Sequence, residues 1–175
     1  MIKEIAKWIR SLLCKFPLLS FFDKRIAGSL NSSSQALFIL GTPRSGTSLL
    51  YQLLIVNSNL GYFSNFASVF VYCPAFSTKL LNVFTGRYND PTYRSNYGVV
   101  SGLNAPSEGG LIMKVWFGNK GQKYAERSIK ALNSTFGSPI VVKNVWNSFR
   151  LNEISKLRID KYFVFLERDI YSTAF

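Results

Sequence analysis

The sequence predicts an α/β fold in three α/β/α layers, with a central parallel sheet whose strands each run into a helix. Two observations carry that expectation. Short apolar runs rich in β-branched and aromatic residues occur at 37–41, 139–143 and 161–166, and they read as buried strands. Each is followed by a helical pattern, at 47–56, after Lys143, and from Ile170 onward. In such a sheet a ligand belongs at the carboxyl ends of the strands.

The elements follow in order along the chain. Ile2, Ile5, Ile9, Leu12, Leu13 and Phe16 recur at helical spacing beside Lys3, Lys7, Arg10 and Lys15, which predicts a basic amphipathic helix ending before Pro17. It suits packing on a core or lying on anionic lipid, and the apolar stretch 17–22 is too short to span a bilayer. Residues 1–35 are therefore expected to form this helix and a loop, with the domain proper over 36–175. After the first strand and its helix, the loop 57–59 leads to an extended piece at 61–63. The apolar residues of 57–70 read as core or cleft wall. Turn formers crowd 82–107, including Gly86, Pro91, Gly98, Gly102 and Pro106, and predict a long surface excursion. Helices are expected at 111–117 and, amphipathic, at 121–132.

Composition narrows the function. Among 175 residues, 47% hydrophobic, Lys and Arg outnumber acids 21 to 9, for a net charge of +12, so an anionic partner is expected. The basic residues are dispersed, and no helix-turn-helix, zinc or RNP pattern accompanies them, which argues against nucleic acid. Histidine is absent, and this removes every histidine-based triad or general base. Cys14 and Cys73 stand apart and read as small core residues in a reducing compartment.

The most informative segment is Ala36 to Leu54. A strand, Gly41, the loop Thr42-Pro43-Arg44-Ser45-Gly46 and a helix beginning at Thr47-Ser48 form the architecture of a phosphate cradle, because the first N–H groups of a helix lack intrahelical acceptors and its dipole favours an anion. The spacing of Gly41, Gly46, Thr47 and Ser48 matches the Walker A loop, but threonine stands where that loop has its lysine. The cation comes earlier, at Arg44. A guanidinium fork followed by two hydroxyls suits a phosphate with a neighbouring anionic group better than a metal-bridged triphosphate.

Pro43-Arg44-Ser45-Gly46-Thr47-Ser48 resembles the 5′-phosphosulfate loop of the sulfotransferases, P-[KR]-S-G-T-[ST], at every position. The segment from Lys161 through Arg168 resembles that family's 3′-phosphate motif, with Arg168 as its arginine. Lys143, closing the second strand, resembles the lysine that approaches the transferring sulfuryl group, although Val145 replaces the proline or histidine expected after it. Ala105-Pro106-Ser107-Glu108 resembles a weaker acidic feature of the carbohydrate and bacterial branch. The resemblance implies a P-loop NTPase-like fold and 3′-phosphoadenosine 5′-phosphosulfate (PAPS) as sulfuryl donor without a metal. It also implies a hydroxyl or amine acceptor, with a carbohydrate among the candidates, and a cytoplasmic or membrane-peripheral location. Arg44 and Lys143 would stabilise the transferring group, Thr47 and Ser48 would bind the 5′-phosphate, and Glu108 would act as base. The family's domain extends further than Phe175. Two other readings stay open: a P-loop kinase or NTPase, and an inactive fragment that binds PAPS.

Overall fold

The computed structural model describes residues 17–28, 34–96, 98–118 and 121–169. The N-terminal amphipathic pattern, Cys14 and the helix expected after Ile170 lie outside them. Three strands, β1 (Gln35–Gly41), β2 (Ile140–Lys143) and β3 (Asp160–Leu166), form a wholly parallel sheet in the order β2-β1-β3. Six α-helices accompany them among the described residues: α1 (Ser20–Gly28), α2 (Thr47–Asn57), α3 (Pro74–Thr85), α4 (Gly110–Trp116), α5 (Gln122–Phe136) and α6 (Leu151–Ser155). The mixed α/β class and all three expected strands are present.

Alternation along β1 and β2 builds a core on each face of the sheet. Ala36, Phe38, Ile140 and Val142 point to one side, where Ile129 and Leu132 of α5, Met113 and Trp116 of α4 and Ala27 of α1 meet them. Ile39 and Val141 point to the other, against Tyr51 and Ile55 of α2 and the buried Tyr62, Tyr88 and Val100. Parallel strands covered on both faces read as continuous apolar runs, as IVV does here. Asn133 ties α5 to the start of β1, accepting from Gln35 N at 2.7 Å and donating to Gln35 O at 3.0 Å.

Several elements depart from expectation. Helix α3 had no counterpart in the sequence reading, because the aromatic run before it masks its period and Pro74 at its start gives the clearer signal. Helix α1 also went unread, yet Asp23 on it caps α3 by accepting from Ala75 N at 3.1 Å and Phe76 N at 2.9 Å. Residues 20–28 thus pack as part of the domain core rather than as a separate lead-in. Helix α5 runs a turn longer than the periodicity suggested and ends at Gly137 in the left-handed conformation, φ 67°. The segment after β2 forms a 3₁₀ turn, Val145–Arg150, before the short α6, instead of one helix.

The stretch after α3 is more than a surface excursion. Tyr88, Val100 and Ala105 are buried in the core over α2. Arg87 anchors it, donating to the carbonyls of Ile55, Ser58 and Leu60 at the end of α2 and lying 5.9 Å from the Tyr62 ring centre. Gly61 pairs with the outer side of β2, its N–H reaching Pro139 O and its carbonyl accepting from Val141 N, both at 2.8 Å.

Candidate functional site

Strand register sets the site. Ile39 lies opposite Lys143 and Gly41 opposite Leu166, so the three carboxyl ends open on one edge of the sheet. The chain leaves β1 into the loop 42–46, and Gly46 adopts φ 93° immediately before α2. Gly41 is required by space: a Cβ there would sit 2.8 Å from the Leu166 carbonyl and 2.9 Å from Ser45 Oγ. The loop therefore packs directly against the end of β3.

Within the loop the side chains divide. Ser45 is buried and its hydroxyl donates to Thr42 O at 2.7 Å, which braces the turn. Thr47 is also buried, its methyl turned toward Gly41. Pro43, Arg44 and Gly46 form an exposed crest, with Arg44 at φ 65°. A non-glycine residue in that region carries strain of order 1 kcal/mol or more, which concentrates at ligand-binding turns. Above the crest the first-turn N–H groups of α2 lack intrahelical acceptors.

Lys143 reaches the same place from β2. Its side chain is only 4% exposed, and Nζ donates to Ser48 Oγ at 3.0 Å and forms an ion pair with Glu108 Oε1. A buried ammonium demands such partners, since burying it unpaired would be prohibitive. Glu108 is 32% exposed, so its carboxylate faces both the lysine and solvent. Residues 48, 108 and 143, distant in sequence, thus form one continuous polar chain. Arg168, following β3, donates from Nη1 to Arg44 O at 3.3 Å and brings the third strand end to the loop.

Supporting residues that sequence reasoning missed explain how Glu108 is placed. Tyr51 on α2 donates to Ser107 O at 3.0 Å, and burial pushes its hydroxyl pKa far up, keeping it a donor. Ser107 N reaches Phe63 O at 2.7 Å, and Ser68 Oγ reaches Ser107 Oγ at 2.9 Å. Asn144 donates to Glu108 O at 3.2 Å, and the fully buried Asn147 donates to Ile39 O at 3.3 Å and Val142 O at 3.2 Å, tying together the ends of β1 and β2. Gly98 closes over the cluster: a Cβ there would lie 3.0 Å from Ser48 Oγ and 3.3 Å from Glu108 Oε1. The sequence marked Gly98 only as a turn former.

Among the described residues no group of three or more His, Cys, Asp or Glu is placed to hold a metal, and no helix is long and apolar enough to cross a membrane. Cys73 is buried, as a small core residue should be, and burial beside Asp23 pushes its thiol up to about 12. Comparison with known protein families, with curated proteins and with solved structures yields no match to this chain.

Proposed function

We propose that this chain is a PAPS-dependent sulfotransferase with a P-loop-like three-layer fold, transferring a sulfuryl group to a hydroxyl or amine acceptor. The observation that carries the reading is the convergence of Ser48, Lys143 and Glu108 at the mouth of the loop 43–48. Each was singled out by a different sequence segment, and an accidental glycine-serine turn has no reason to gather all three. The Arg168 contact with the Arg44 carbonyl supports the same site.

In this reading the N–H groups at the start of α2, with Arg44 and Ser48, hold the 5′-phosphate, and Arg168 meets the 3′-phosphate. The sulfuryl group transfers in line: the acceptor oxygen bonds to sulfur as the bond from sulfur to the bridging oxygen breaks, and 3′-phosphoadenosine 5′-phosphate departs. Lys143 stands where charge grows on that bridging oxygen, and a fixed cation there lowers the barrier. Glu108 takes the acceptor proton.

The test is titration with 3′-phosphoadenosine 5′-phosphate in EDTA beside ATP with magnesium. The sulfotransferase nucleotide should bind without metal, and Arg44→Ala should weaken it by about 1.5 to 3 kcal/mol. Equal affinity for ATP with magnesium, or an unaffected Arg44→Ala variant, overturns the assignment and favours a kinase-like nucleotide site.

A further inference from the structure

Glu108 has a second side. Away from Lys143 it lines an open cavity of about 480 Å³ together with Lys114, Asn144, Trp146 and Arg150. No part of this cavity belongs to the nucleotide loop. Two cations, one indole and the carboxylate of Glu108 face one space, and that combination has a chemical meaning.

Arg150 is the telling member. Its guanidinium lies 5.8 Å from the Phe117 ring centre, and its Nη1 is buried with no hydrogen-bond partner among the described residues. Arg150 also lines the cavity and makes no ion pair among the described residues, so an anion entering that space meets a guanidinium whose charge is not neutralised. Lys114, exposed on α4, adds a second positive charge. Trp146 is 58% exposed although its backbone is held in place, the main-chain N–H donating to Asn144 Oδ1 at 2.9 Å. An indole left open beside polar groups offers a flat apolar surface to a ring.

We infer that this cavity is the acceptor site and that it takes an acidic saccharide, with Arg150 reading the acid group, Trp146 carrying the apolar face of the sugar ring and Glu108 meeting the hydroxyl to be modified. The inference rests on the sulfuryl-transfer reading for the role of Glu108, but the binding of an acidic ring alcohol stands on Arg150 and the cavity alone. Its place between a single exposed aromatic face and several polar groups favours a polyhydroxylated ring over an aromatic acid, which gains most from an enclosed apolar slot. Arg150 is a specificity residue here and has no part in holding the nucleotide.

The experiment titrates the full chain with methyl β-D-glucuronide, with its neutral methyl ester and with 4-hydroxybenzoate, each with and without 3′-phosphoadenosine 5′-phosphate. The glucuronide should bind about tenfold or more tightly than the ester, as a charge-assisted hydrogen bond requires. Arg150→Gln, which removes the charge and keeps a polar side chain, should erase that preference while leaving nucleotide affinity unchanged, and Lys114→Ala should reduce it in part. Equal binding of acid and ester, a preference that survives Arg150→Gln, or tighter binding of 4-hydroxybenzoate overturns the inference. Nucleotide affinity is read in the same series, so a chain that binds glucuronide but not the nucleotide refutes the proposed transfer reaction and leaves the acidic-sugar site standing.

Discussion

Strands β2 and β3 pair with the same central strand in the same parallel sense, yet they live in opposite surroundings. All four residues of β2 are buried, between α5 on one face and α2 on the other, with Gly61 paired along its outer side. None of the seven residues of β3 is buried, and Tyr162, Phe163 and Phe165 are 55%, 45% and 64% exposed. Phe163 stacks on the core residue Phe38 with ring centres 5.8 Å apart, so the strand is attached to the core without being enclosed by it. Hydrophobic composition told strand from loop in both cases. Cover depended on which helices the chain brings back, and among the described residues they return to β2.

The largest expected effect tests how the covered flank is held. Asp23 joins α1 to α3, and burial pushes its carboxyl from 3.8 up to about 7, opposed by the N–H bonds from Phe76 and Ala75. The folded state therefore holds a proton that the unfolded chain releases at lower pH. The associated stability is present in full below about pH 4 and is lost as pH rises through about 7, an effect on the order of 4 kcal/mol. Neither Cys73 nor Tyr124 beside it titrates in that window, since burial pushes both upward. Urea unfolding from pH 4 to 8 should show the decline, and Asp23→Asn should flatten it. A wild-type profile flat across that range would mean that the cap is not held as described.

Next comes the contrast between the strands themselves. Ile140→Ala removes a side chain that is 1% exposed and should cost about 2 to 5 kcal/mol, whereas Phe165→Ala on β3 should change stability by no more than about 0.5 kcal/mol. Denaturant midpoints of the two variants decide it. Comparable losses would show that something covers β3 in solution.

A smaller loss than that of Ile140→Ala is expected at the junction of the flanks. Gly41→Ala places a Cβ 2.8 Å from the Leu166 carbonyl, so the end of β3 must move, at about 1 to 3 kcal/mol. Because the loop 42–46 rests on that contact, the proposed affinity for 3′-phosphoadenosine 5′-phosphate should fall along with stability. A variant that loses stability while binding 3′-phosphoadenosine 5′-phosphate as tightly as wild type would uncouple β3 from the loop.

Much of the site was legible because its signals are local. Gly41, Arg44, Gly46 and Ser48 announce a loop at a helix start through their spacing alone, since backbone conformation there is chosen by near neighbours. The strands were legible for the same reason, being short runs whose period and composition need no partner. Lys143 and Glu108 could be named singly, but nothing in their order along the chain says that they touch. Tyr51, Ser107 and Gly98, which set and close over Glu108, carry no local signal of that role.

What the sequence determined by itself, then, is the class of fold, the three strands and the strand-loop-helix turn at 41–48, all products of side-chain periodicity and backbone preference within a few residues. Only the tertiary structure decided that Lys143 is buried against Ser48 and Glu108, that Arg150 lines a cavity beside Glu108, Lys114 and Trp146, and that β2 is covered while β3 is open. Burial and pairing belong to the space between elements, and that space is set by how long crossovers return to the sheet, a property no local stretch of the chain contains.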